Sequence, residues 1–143
     1  LAREFVDEEN FIVVGGDNLF SAEDLLRIQQ DDEYCHVAGW EVENPSRYGV
    51  LVCKGEVLIE IVEKPKEFVG NLINAGLYKF TQDIFEALEQ IKLSERGELE
   101  LTDAISLLAE GRKVKVMMLR DYWLDLGKKD DILKVEEFLK KLE

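Results

Sequence analysis

The residues of this chain best suited to chemistry are carboxylates set beside glycine. Asp17 follows the almost wholly apolar run 11–14 and is preceded by Gly15 and Gly16. A carboxylate on a tight loop beyond a strand end can reach a hard cation or a hydroxyl. As an Asx-turn or helix-entry residue it would only shape the backbone. Asp125 lies in Tyr-Trp-Leu-Asp-Leu-Gly (122–127) and is a second loop-end carboxylate, or else a cap for the last helix or turn. Two such groups, far apart in sequence, could hold one Mg²⁺ and leave its other positions to phosphate oxygens and water. Glu63 and Lys64 stand side by side before Pro65. Strand neighbours point to opposite faces, but Pro65 ends the regular pleat, so both can turn toward one cleft. A lysine is a point charge suited to phosphate, and a carboxylate accepts from sugar hydroxyls. The alternative is a solvated, charged strand end. Asn74, Ala75 and Gly76 interrupt a β-branched and aromatic stretch. Small residues there signal either a close approach of ligand or backbone, or a bulge.

Other reactive side chains are few. His36 is the one histidine, and strand packing is its expected role. A histidine metal cluster is excluded within this chain, and a Ser-His-Asp triad would have to use this one residue. Cys35 and Cys53 are too far apart for a CxxC redox or zinc motif. Both are expected to be small buried hydrophobes in a reducing, hence cytoplasmic, setting.

The elements that must position these groups follow from composition and pattern. The 143 residues carry 31 acidic and 18 basic side chains, a formal net charge of −13, and 46% are hydrophobic. That mixture is globular, and the acid excess argues against a nucleic-acid-binding face. No apolar run is long enough to span a membrane. Leu1, Ala2, Phe5 and Val6 share one helical face with no cap before them. The segment is expected to be the last turns of a helix, and the chain the later part of a larger protein. Residues 11–14 read as a central strand covered on both faces, which in this chain alone is expected to lose a neighbour and expose unpaired amide groups. Ser21 to Asp24 reads as a capping box opening a helix to about Gln30. Strands are expected at 34–42, at 49–53 and 57–62 as a hairpin around Gly55, at 72–80 and at 114–119, with a short extended piece at 123–127. Helices are expected at 83–91, 101–109 and 130–142. The alternation is that of an α/β domain with a hairpin-rich insertion around residues 44–65.

Taken in order, six stretches resemble the sugar-phosphate nucleotidyltransferase family, nearest to glucose-1-phosphate thymidylyltransferase-like enzymes of the archaeal type. They are Phe-Ile-Val-Val-Gly-Gly-Asp-Asn-Leu-Phe (11–20), Asn-Pro-Ser-Arg-Tyr-Gly-Val (44–50), Ile-Val-Glu-Lys-Pro-Lys (61–66), Leu-Ile-Asn-Ala-Gly-Leu-Tyr-Lys-Phe (72–80), Ser-Glu-Arg-Gly-Glu-Leu-Glu-Leu-Thr-Asp-Ala-Ile (94–105) and Tyr-Trp-Leu-Asp-Leu-Gly (122–127). The resemblance covers nearly the whole chain. It implies a partial Rossmann-like nucleotide-diphospho-sugar transferase fold, a mixed sheet flanked by helices with a β-hairpin insertion. Residues 1–143 would be the C-terminal part of a single nucleotidyltransferase domain.

The implied reaction joins an NTP and a sugar-1-phosphate, glucose-1-phosphate with dTTP or UTP, into an NDP-sugar with release of pyrophosphate. By family analogy Asp17 and Asp125 hold Mg²⁺, and Lys64 meets the sugar phosphate. Tyr48, Gly49, Glu63, Asn74, Ala75 and Gly76 would bind the sugar. The family's Gly-rich loop, which cradles the triphosphate, is not in this sequence, so the chain alone is expected to be inactive. A non-catalytic regulatory subunit of the same fold is the alternative implied. A GT-A-type glycosyltransferase would carry an Asp-x-Asp motif, and position 15 is Gly. Family members commonly self-associate, which leaves room for a homo-oligomer.

Overall fold

The computed structural model describes residues 2–94, 97–127 and 129–141. Eight strands, β1 (Asn10–Val14), β2 (Asn18–Phe20), β3 (Cys35–Glu41), β4 (Gly49–Lys54), β5 (Val57–Glu63), β6 (Leu72–Thr81), β7 (Val114–Met118) and β8 (Trp123–Asp125), alternate with four helices, α1 (Ala22–Arg27), α2 (Asp83–Leu88), α3 (Leu101–Glu110) and α4 (Lys129–Leu139). Short 3₁₀ turns cover Ala2–Phe5 and Pro45–Arg47. The expected N-terminal α-helix is therefore a single 3₁₀ turn, with Leu1 outside the described residues. Helix α2 stops three residues short of Ile91, and Leu142 also lies outside the described residues.

Six strands form a mixed sheet in the order β1-β6-β3-β7-β5-β4. β3 and β7 run parallel, and the other pairs are antiparallel. β6 also touches β4 through Val50 opposite Ile73. Strands β6, β3, β7, β5 and β4 thereby make a closed hydrogen-bonded circuit, joined at β5–β7 and β4–β6 by one residue pair each.

Strand periodicity sends alternate side chains to two cores. Val37, Leu51, Leu58, Tyr78, Phe80 and Val114 face α2 and α3, where Ile84, Phe85, Ile105 and Leu108 cover them. Ala38, Ala75 and Leu77 face α1, where Ile28, the residue just past its end, is fully buried. The Ser21 cap forms as expected, its hydroxyl accepting from the Asp24 amide at 3.0 Å. The Asp24 carboxylate then reaches out of the helix. It accepts from the backbone amides of Arg120 and Asp121 at 3.1–3.2 Å and from Arg27. A local capping signal is thus also the tether that fixes the β7–β8 connection.

As expected for this chain alone, only β6 pairs with β1 among the described residues, and Val14 is 45% exposed. Its composition is that of a strand with two neighbours, and its outer edge has none in the described residues.

Candidate functional site

The 15–18 loop closes onto a two-stranded sheet, β2 with β8, that the sequence pattern does not announce. Its register sets Asn18 opposite Asp125, and the Leu126 amide donates to the Asp17 carbonyl at 2.8 Å. Asp17 and Asp125 are therefore neighbours across one strand pair. Asp17 is exposed and Asp125 half-buried. The Gly127 amide donates to Asp125 Oδ1 at 3.0 Å, and the Tyr48 hydroxyl donates to its Oδ2 at 3.1 Å. Burial, together with that bond to a carboxylate and its charge, raises the Tyr48 pKa. Tyr48 therefore stays a neutral donor at pH 7.

Tyr48 carries the network onward. Its ring meets Trp123 edge-on at 5.6 Å, and its carbonyl accepts from the Lys64 amide at 3.0 Å. Lys64 adopts a left-handed backbone, φ 43°, just after β5 ends. Its ammonium makes no ion pair among the described residues. Gly49 pairs with Glu63, and a Cβ at Gly49 would stand 2.9 Å from Glu63 Oε2 and 3.9 Å from the Asn74 Cβ. The Glu63 carboxylate thus lies over bare backbone beside β6.

Both readings of residues 74–76 hold. The register between β3 and β6 shifts opposite them, which is a bulge, and Gly76 has φ +78°. The bulge also brings backbone close. The Gly76 carbonyl accepts from the Gly15 amide at 2.8 Å, and the Asn74 side chain accepts from the Gly76 amide at 3.1 Å while donating to the Tyr78 hydroxyl at 2.8 Å. The Ala75 carbonyl accepts from the Trp123 indole at 3.0 Å.

Every residue singled out in the sequence, from Asp17 through Tyr48, Gly49, Glu63, Lys64, Asn74, Ala75 and Gly76 to Asp125, falls in this one network. Sequence reasoning passed over Asn18 and Trp123, which tie it together. The signal available for them was only their place beside Asp17 and Asp125.

A divalent ion would find hard oxygen donors here. No group of three or more His, Cys, Asp or Glu side chains converges among the described residues, so an all-protein cage is absent there. Mg²⁺ asks for no such cage, since one or two carboxylates and substrate phosphates suffice. Asp17 and Asp125 fit that requirement.

The remaining reactive side chains lie elsewhere. His36 packs in β3 as expected, buried, with Nε2 2.9–3.0 Å from the Asp32 carboxylate. Burial lowers its pKa, outweighing the carboxylate. Cys35 is buried and Cys53 half-buried, and both are free thiols. Lys79 is the one buried amine among the described residues, and its ammonium donates to the Asp32 carboxylate at 3.0 Å and to the carbonyls of Asp32 and Tyr34 at 2.6 and 2.8 Å. No described helix is long and apolar enough to cross a membrane.

The chain is 48% identical over 139 residues to the bifunctional protein GlmU of Methanocaldococcus jannaschii, covering 96% of this chain and 33% of that protein. It is 42% identical to a bifunctional sugar-1-phosphate nucleotidylyltransferase/acetyltransferase of Sulfurisphaera tokodaii, covering 96% of this chain and 34% of the relative. The chain thus spans about a third of the length of these relatives. Among solved structures, a UDP-glucose pyrophosphorylase complexed with UDP-glucose superposes with a TM-score of 0.85 at 25% identity, over 99% of this chain and 60% of that one. A putative glucose-1-phosphate thymidylyltransferase of Bacillus anthracis superposes with a TM-score of 0.78 at 27% identity, over 96% and 57%. The architecture is the Rossmann-like nucleotide-diphospho-sugar transferase fold. With residues 1–141 matching the nucleotidyl transferase family model, the chain belongs to the nucleotidyl transferase family.

Proposed function

We propose that the gene product carrying this chain transfers a nucleotidyl group from an NTP to a sugar-1-phosphate. A sugar phosphate oxygen attacks the α-phosphorus, the bond from that phosphorus to the bridging oxygen breaks, and pyrophosphate leaves with the electron pair. The observation that carries this reading is the β2–β8 pairing, which sets Asp17 beside Asp125 and joins both through Tyr48 to Glu63 and Lys64. Bound between Asp17 and Asp125, Mg²⁺ would neutralise phosphate charge. Lys64, whose ammonium makes no ion pair among the described residues, offers a cation to the sugar phosphate. Glu63, lying over Gly49, offers acceptors to sugar hydroxyls, and Asn74, Ala75 and Gly76 would line the sugar site beside it. Such chemistry rests on positioning and charge neutralisation rather than on a protein nucleophile.

Glucose-1-phosphate with dTTP or UTP is the substrate pair we propose, on the names of the two solved neighbours. The free thiols suit a reducing, cytoplasmic setting. The chain by itself is proposed to be inactive, since it carries no Gly-rich loop to cradle the β- and γ-phosphates.

The test is pyrophosphate release from a panel of nucleotides and sugar-1-phosphates by the gene product. Asp17→Asn should lower kcat by about 10²-fold or more, because it removes charge where the transition state needs it. Near-normal turnover of that variant at saturating Mg²⁺ removes Asp17 from the metal site. Turnover by the 143-residue chain alone overturns its proposed inactivity.

A further inference from the structure

The Asp17 carboxylate is held by a side-chain relay that begins at Trp123. The indole N–H donates to Asn18 Oδ1 at 2.8 Å, and Asn18 Nδ2 donates to Asp17 Oδ1 at 2.7 Å. An indole nitrogen can only donate. It therefore fixes which way the Asn18 amide faces. Turned over, the amide would set its NH₂ against the indole N–H and its oxygen against the carboxylate, opposing donor to donor and acceptor to acceptor.

Sterics close the cage. A Cβ at Gly15 would stand 2.7 Å from Asn18 Nδ2, and one at Gly76 would stand 3.3 Å from the same atom. The amide thus lies against two glycine backbones at positions where any side chain would crowd it. Trp123 is itself fixed, by its second acceptor at the Ala75 carbonyl and by the Tyr48 ring.

We infer that Asn18 and Trp123 are positioning residues that act as one unit. Trp123 sets the polarity of the Asn18 amide, and the amide pins one oxygen of Asp17 so that the other is presented to a divalent cation. The inference rests on the reading of Asp17 and Asp125 as a metal pair and deepens it.

The experiment measures Mn²⁺ affinity of the 143-residue chain by electron paramagnetic resonance, without nucleotide. Asp17→Asn defines the share of binding that belongs to the site. Asn18→Leu keeps the shape of the amide without its hydrogen bonds, and Trp123→Phe removes the N–H while keeping a ring. Each should weaken that share about 10- to 100-fold, the usual loss when the partner of a metal ligand is removed. The double variant should fall no more than about twofold below the weaker single, because either change breaks the same relay. Wild-type affinity in either single variant, or multiplied losses in the double, overturns the relay while leaving the metal pair standing. Wild-type affinity in Asp17→Asn overturns the metal pair, and the relay with it. If the variants fail to fold, the unmodified chain still decides by NMR. Mg²⁺ should shift the Trp123 indole and Asn18 amide proton resonances with the same midpoint as the Asp17 amide. Unmoved resonances beside a moving Asp17 overturn the relay.

Discussion

Asp24→Asn changes one buried oxygen into an NH₂ and should unfasten the β7–β8 connection. The Asp24 side chain is fully buried, and its two oxygens accept from Arg27, from the Arg120 amide and from the Asp121 amide. An asparagine has one acceptor oxygen. Its better orientation keeps that oxygen in the Oδ2 place, where the Arg120 and Asp121 amides converge at 3.1 and 3.2 Å. The NH₂ then faces the Arg27 guanidinium, which loses a charge-assisted bond worth about 1.5–3 kcal/mol. Arg27 keeps its bond to the Met118 carbonyl and can turn to water, which caps the penalty. The two retained amide bonds lose the benefit of an ionised acceptor. The total is about 2–4 kcal/mol, or roughly 6–12 °C in Tm for a chain of this size.

The pH dependence separates charge from shape. Burial alone would raise the Asp24 pKa, but the bonds from Arg120, Asp121, Arg27 and Ser21 outweigh it and hold the folded value below the ordinary 3.8. A depressed carboxylate contributes stability that is full above the unfolded pKa and is lost as pH falls through the folded one. Urea melts of wild type and variant should thus differ by a constant amount from pH 7 to about pH 5 and converge below about pH 4. Equal midpoints at pH 7, or a gap undiminished at the acid end, would refute the reasoning.

Lys79→Met should cost about 3–5 kcal/mol by urea unfolding, since it strips the donor from the Asp32 carboxylate and two carbonyls; a loss under 1 kcal/mol would show them re-solvated. Gly49→Ala brings a Cβ within 2.9 Å of Glu63 Oε2 and Ile61 Cγ2 and should destabilise the chain by about 1–3 kcal/mol. In the gene product it should raise KM for the sugar phosphate while sparing KM for the nucleotide. Lys64→Ala should raise KM for the sugar phosphate, and an equal rise for both substrates would make Lys64 structural. Lys64→Gly should show the same kinetics yet be more stable than Lys64→Ala by about 1 kcal/mol, because φ 43° costs alanine and not glycine.

Local pattern carried much of this fold. The Ser21 cap, the hairpin around Gly55 and the stop of β5 before Pro65 all rest on neighbours in the chain, and each appears where expected. Asp17 and Asp125 were legible as loop-end carboxylates for the same reason. What spacing could not reveal was reach. The Asp24 side chain was read as part of a cap, yet its carboxylate closes bonds to residues 96 and 97 positions away. Lys79 falls in a strand whose alternation looks ordinary, and its partners come from the loop before β3. The β2–β8 pair has three residues a side, too short for periodicity to register.

The circuit of β6, β3, β7, β5 and β4 also constrains the order in which the molecule can assemble. Its members come from four separate stretches of the chain, and β7, at Val114–Met118, is made last. On a ribosome the hairpin of β4 and β5 can form early, because its partners are adjacent. It stays a two-stranded fragment of marginal stability until β6 joins β3, and the ring cannot close until Val57 meets Lys115. Chains truncated before residue 114 should therefore populate an open sheet with two unsatisfied edges, a target for proteases and for pairing with other nascent chains. Protection of the β4–β5 amides against hydrogen exchange should appear late in synthesis, as one step, once β7 has left the exit tunnel.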